Sequence, residues 1–232
     1  MHDLLVAIKE ALALLFSADS GTWEIIGISF GVSFQAILYI TPVSVLLAFL
    51  LAYSRFRGRR LVISATHTLL AVPAVVVGLT LYMFLSRNGP LGDLKLLFTQ
   101  TAMIIGQMIL AFPIVVAMSH SALQATDRVI WETAKTLGAS NTKAMLTVMH
   151  EARFGLFAAI VAAFSRIVAE VGCSMMVGGN ILHHTRNIPT AIALETSKGE
   201  FAQGIALGLV LLILALGLNL LLGGARYRLE TA

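Results

Sequence analysis

Charge is scarce in this sequence. Asp, Glu, Lys and Arg make up 12% of its 232 residues, roughly half of what a soluble domain carries on its surface. The hydrophobic fraction is 58% and the mean hydropathy +0.88. A water-facing globule is therefore excluded, and lipid is the solvent this composition fits. Cysteine is nearly absent: Cys173 stands alone, which excludes an intrachain disulfide and any metal site built on paired thiolates. There is no Gly-Lys pair, so the phosphate loop that cradles ATP is missing. His67, His120 and His150 are scattered and His183-His184 stand apart. They make no clustered His/Cys/carboxylate set for a catalytic metal. The chain is expected to hold no metal or cofactor and to hydrolyse nothing itself.

Long apolar runs are what it has. A helix rising about 1.5 Å per residue needs about 20 of them to cross the hydrocarbon core. Five segments qualify: 25–53, 61–85, 101–123, 154–177 and 204–224. The expected fold is all-α and polytopic, with about five transmembrane helices. The stretch 4–16 is too short to span and carries Lys9 and Glu10. It reads as an interfacial helix, with a sixth, tilted span as the alternative. Its acidic start makes a poor secretory signal. The chain thus divides into an extracytoplasmic segment 1–22, a membrane region 23–226 and a short tail 227–232.

The net charge of +4 lies in clusters beside apolar runs, which points to membrane orientation and away from nucleic acid. One side receives Arg55, Arg57, Arg59, Arg60, Arg128, Lys135, Lys143, Arg153, Arg226 and Arg228. The other receives only Lys9, Arg87, Lys95, Arg186 and Lys198. The richer side is the cytoplasmic one. This puts the N-terminus outside and the C-terminus inside.

The first three spans carry Pro42, Pro73 and Pro113, expected to kink them. The fourth contains Arg166 and Glu170, four residues apart and so on one helix face. Charges at membrane depth are costly and turn toward the bundle interior or a wet cavity. The pair either fixes helix packing or belongs to a translocation pathway or its gate.

Between the third and fourth spans lies the largest cytoplasmic loop, 124–153. Asp127 to Leu137 reads as a helix with Ile130, Ala134 and Leu137 on one face. Gly138 can end it in the left-handed conformation, and Ser140 or Asn141 can cap a second helix. The result is a stiff cytosolic knob joined to two spans, which a soluble partner can grip.

Glu132-Thr133-Ala134, followed after three residues by Gly138, resembles the EAA motif of ABC importer permeases. The pattern departs at Thr133 and at Val148, His150 and Glu151, where Ala and Ile-x-Leu-Pro are usual. Leu70-Ala-Val-Pro-Ala-Val-Val-Val-Gly-Leu79 and Phe164-Ser-Arg-Ile-Val-Ala-Glu-Val-Gly172 resemble segments of molybdate- and tungstate-type permeases. Met175-Met-Val-Gly-Gly-Asn-Ile181, Thr185-Arg186 and Leu194-Glu-Thr-Ser-Lys-Gly-Glu-Phe201 look most like the tungstate branch. The resemblance implies a type I ABC importer permease in a bacterial or archaeal cytoplasmic membrane. It implies a homodimer, paired with two ATPase subunits that hold ATP and Mg, and with an extracytoplasmic oxyanion-binding protein. Glu132, Thr133, Ala134, Lys135, Gly138 and Ala139 would then form the coupling helix. In the outer loop 178–203, Gly179, Asn180, Arg186 and Lys198 would meet the binding protein, or are simply a polar connector. The rival classes are an ion-gradient-driven secondary transporter or channel, which would transport without an ATPase, and a membrane enzyme using Arg166 and Glu170.

Overall fold

The computed structural model describes Lys9 and residues 20–230, and every regular element among the described residues is helical. The assignment of 4–16 to an interfacial helix lies outside the described residues, apart from Lys9. In chain order the helices are α1 (Ser20–Tyr53), α2 (Arg59–Leu69), α3 (Ala74–Leu85), α4 (Gln100–Ala125) and α5 (Arg128–Thr136). Then come α6 (Asn141–Glu151), α7 (Arg153–Val168), α8 (Gly172–Gly178), α9 (Ile188–Lys198) and α10 (Phe201–Glu230). A 3₁₀ turn occupies Gly92–Leu94. The helices α1 and α4 are each long and apolar enough to cross a bilayer.

The five expected apolar segments all form helices, but two of them are not single rods. The second is α2 and α3, which meet at 99°, and the fourth is α7 and α8, which meet at 61°. At the first break, Pro73 has no N–H to continue the ladder and disfavours helix at Val72. The chain tightens into short turns, with Leu70 N–H donating to His67 and Ala71 N–H to Thr68. It restarts at Ala74 with Pro73 as N-cap. Pro73 therefore breaks its span, whereas Pro42 and Pro113 lie inside the uninterrupted α1 and α4.

The chain forms two compact units. The first comprises residues up to 36, 73–107 and 165 onward; the second comprises 37–72 and 108–164. In the first, α3 and α8 pack so closely that a Cβ on Gly78 would lie 2.8 Å from the Cα of Cys173. Small residues permit that approach, as helix pairs in lipid require. The helix α9 lies in the outer loop 178–203, read as a surface for the binding protein or as an exposed polar connector. Its first turn is buried, with Ile188, Pro189, Thr190 and Ala191 inside. It packs on α10 and α1 through Ile188, Ala191, Ala206, Leu207, Val210 and Ile26. Its entry is secured twice. Asn187 and Thr190 cap each other reciprocally, and the Ile188 N–H donates to Ser29 Oγ at 2.7 Å. Periodicity missed α9 because its eleven residues are too few to register as a span.

In the second unit, Ala48, Phe49, Ala52, Leu123, Val148, Ala152 and Leu156 form a core from α1, α4, α6 and α7. Gly155 sits so near Ala122 that a Cβ there would lie 2.6 Å from the alanine methyl.

Candidate functional site

The loop 124–153 folds as a helical elbow within the second unit. Asp127 starts α5 by accepting the Val129 N–H at 3.0 Å, an N-cap contributing about 1 kcal/mol. The helix ends in a Schellman motif: Ala139 N–H donates to Ala134 O at 2.9 Å and Gly138 N–H to Lys135 O at 3.0 Å. Such a closure needs a left-handed residue, and Gly138 has φ +84°. Ser140, not Asn141, then caps α6 by accepting the Lys143 N–H. Lys135 ties the elbow shut, donating to Ala139 O at 3.1 Å and to Asn141 Oδ1 at 2.9 Å. The angle between α5 and α6 is thus fixed by backbone and side-chain bonds together.

Ile130, Ala134 and Leu137 do share one face, lining a single groove, but that face is open and not buried. Leu137 is the residue that ends α5 and is 82% exposed. Exposed Val129, Leu137 and Leu146 make the outer side of the elbow apolar. A groove of about 530 Å³ runs between Val129, Ile130, Thr133, Ala134, Leu137 and Lys143. Glu132, Thr133, Lys135 and Gly138 are exposed around it, and Ala134 and Ala139 half-buried.

What holds the elbow was not visible in the sequence. Trp131 lies against Phe49 and Tyr53, with ring centroids 5.7 and 5.5 Å apart, and those two stack on each other at 4.9 Å. Aromatic pairs at such distances contribute about 0.5–1.5 kcal/mol each beyond their burial. The elbow is therefore anchored to the C-terminal end of α1 as well as to α4 and α7. The only sequence signal was an aromatic at the end of each partner, which no periodicity argument singles out.

The charged pair lies in the first unit, at the second helix break. Arg166 is in the last turn of α7, but Glu170 lies beyond it, between α7 and α8, so the two do not share one helix face. They still meet: Arg166 Nη1 donates to Glu170 Oε2 at 2.7 Å. The other carboxylate oxygen, Oε1, accepts the Gly172 N–H at 2.8 Å, at the point where α8 restarts. Glu170 is buried at 8% side-chain exposure, while Arg166 remains 56% exposed. One carboxylate thus neutralises a guanidinium and closes a broken backbone.

In the outer loop, Gly179 and Asn180 both have positive φ, +70° and +51°. Arg186 turns inward, its Nε donating to Asn180 Oδ1 at 3.3 Å, and Lys198 pairs with Glu195 at 2.8 Å. Gln100 Nε2 and Thr185 fasten the loop further through His184 O and Gly178 O. Among the described residues, no three His, Cys, Asp or Glu side chains gather to hold a metal ion.

The family model of binding-protein-dependent transport system inner membrane components matches residues 40–231. The tungstate uptake system permease protein TupB of Campylobacter jejuni is 43% identical over 91% of this chain and 88% of its own length. The molybdenum transport system permease protein ModB of Escherichia coli is 29% identical over 77% and 82%. Among solved structures, a bacterial ABC transporter involved in import of the acidic polysaccharide alginate superposes at a TM-score of 0.76. It is 16% identical and covers 95% of this chain and 83% of its own.

Proposed function

This chain belongs to the family of binding-protein-dependent transport system inner membrane components, with the type I ABC importer permease fold, and from that premise we propose that it carries tungstate inward across the cytoplasmic membrane. Molybdate is the second candidate, being a tetrahedral dianion of the same charge. The 43% identity to a tungstate permease against 29% to a molybdenum one favours the first. Energy comes from separate ATPase subunits holding ATP and Mg, two of them on a homodimer of this chain. An extracytoplasmic binding protein delivers the anion to the outer loop around Gly179, Asn180, Arg186 and Lys198.

The elbow carries this reading. Its angle is locked by Gly138, Ser140 and Lys135, its outer face offers an exposed apolar groove, and its inner face is pinned to α1 by Trp131. An ATPase that closes on ATP and grips Glu132–Gly138 pulls on a part too stiff to absorb the motion. The displacement passes to α1, α4 and α7. Access then alternates from inside to outside, and hydrolysis resets it. At the break after α7, Arg166 is exposed enough to meet a passing anion, while Glu170 stays buried and holds it in place.

The test is reconstitution. With ATPase and binding protein, vesicles take up tungstate on ATP addition; with this chain alone they take up none. Glu132→Lys abolishes uptake and ATPase co-purification together. Uptake by the chain alone under an ion gradient would establish the secondary-transporter reading instead.

A further inference from the structure

Four arginines follow α1 within six residues: Arg55, Arg57, Arg59 and Arg60. No Asp or Glu occurs between Glu24 and Asp93, and among the described residues none of the four forms an ion pair. Orientation in the membrane accounts for positive charge here, but not for the shape it takes. Arg55, Arg59 and Arg60 line a pocket of about 400 Å³ together with Phe56, Gly58 and Leu61. Arg59 is fixed from behind, its Nε donating to Leu51 O at the end of α1. Gly58, at φ +92°, turns the chain so that α2 starts at the pocket with no side chain capping its N-terminus. Its amide groups and dipole add to the guanidinium charge. Beside them Phe56 is exposed and Leu61 is 76% exposed, which an anion alone would not require.

We propose that this pocket binds the phosphate headgroup of an anionic phospholipid, the guanidiniums holding the phosphodiester and Phe56 and Leu61 lying along the glycerol and upper acyl chain. The site stands directly after an apolar helix, at the depth where lipid phosphates lie. Guanidinium forks match phosphate oxygens better than a point charge does. The inference rests on the permease reading only for the membrane and its cytoplasmic side.

The experiment is native mass spectrometry of the full chain purified in detergent, with phosphatidylglycerol or phosphatidylcholine added at equal concentration. Phosphatidylglycerol is retained preferentially. Arg55→Gln/Arg60→Gln lowers that preference by about fivefold per arginine, roughly thirtyfold in all. Arg87→Gln/Lys95→Gln, which removes the same charge on the other side, leaves it unchanged, and Arg55→Lys/Arg60→Lys retains most of it. An unchanged preference in Arg55→Gln/Arg60→Gln overturns the proposal. So does displacement of the lipid by millimolar inorganic phosphate or tungstate, which would make the pocket a free-anion site. Loss of ATPase co-purification in that variant with lipid retention intact would make it a protein contact and overturn it equally. Because the readout needs no ATPase and no transport, its failure leaves the permease assignment standing, and failure of the uptake test leaves this one interpretable.

Discussion

Gly138 offers a test of the elbow in which strain and contact give opposite orders. A Cβ built there meets nothing within 4 Å, so within this chain a substitution costs only what φ +84° imposes on an L residue. For alanine that is about 1–2 kcal/mol; for β-branched valine it is roughly 2–3 kcal/mol. Asparagine tolerates the left-handed region better, so its cost falls below that of alanine. If the strain is relieved by leaving that conformation, the two closing bonds from Gly138 and Ala139 break and the angle to α6 is lost. Either way the docking-competent elbow becomes rarer. At about 1.4 kcal/mol per tenfold, ATPase affinity falls roughly tenfold for Gly138→Ala and towards a hundredfold for Gly138→Val. The assay is titration of purified ATPase onto each variant in detergent, with ATP-driven tungstate uptake in parallel. Activity should follow glycine, asparagine, alanine, valine. The order glycine, alanine, asparagine, valine would show that size against the ATPase matters and backbone conformation does not, refuting the argument. Wild-type binding by Gly138→Val would remove the elbow from coupling altogether.

Trp131→Ala deletes two ring contacts to Phe49 and Tyr53, costing roughly 1–3 kcal/mol; we expect ATPase binding to persist while uptake per ATP hydrolysed falls, measured in proteoliposomes. Gly106→Ala puts a Cβ 2.4 Å from Cys173 Sγ and should destabilise by about 1–3 kcal/mol. Adding Cys173→Ala removes the clashing atom, so the double variant should melt above Gly106→Ala alone. Arg166→Met leaves the buried Glu170 without its ion pair but still bonded to Gly172. Uptake should be lost while the protein still purifies folded, and a protein that no longer folds would assign the pair to packing. In Val171→Cys, at an exposed position beside the break, a membrane-impermeant thiol reagent should label position 171 while buried Cys173 stays silent; no labelling would mean that no water reaches this point.

The helices and the elbow were legible because each depends on local chemistry. Apolar length located helical segments, two of them long enough to span alone and up to four with the bent pairs, and Glu132 to Gly138 with Ser140 gave helix, turn, helix. The breaks in the second and fourth spans were not legible as breaks. Pro73 was read as a kink within one span, whereas the helix stops before it and restarts at Ala74. Likewise, Arg166 and Glu170 were paired correctly by spacing but for a helix that stops at Val168. The carboxylate reaches both its partner and the Gly172 N–H because the helix ends, which no spacing rule conveys. The helix α9 and the Trp131 anchor are tertiary facts: each exists because of residues more than 70 positions away, Ser29 for one and Phe49 and Tyr53 for the other.

The two breaks belong to one construction. A Cβ on Gly172 would lie 2.5 Å from Val75 Cγ2 and 3.3 Å from the Val75 backbone N, so the restarts of α3 and α8 abut. Interrupting a helix at membrane depth strands backbone groups, each costing several kcal/mol in hydrocarbon. Here the interruption is satisfied from the sequence itself: Pro73 has no N–H to strand, Leu70 to Val72 bond back into α2, and Glu170 takes the Gly172 N–H. Irregular backbone is tolerated at such depth only when buried in protein or lining a wet cavity. A guanidinium left 56% exposed beside it would be costly against lipid, about 2.5–3.5 kcal/mol near the bilayer centre. We therefore read the face of Arg166 as meeting either water or another protein surface, and on the homodimer proposed above both descriptions point to the central pathway.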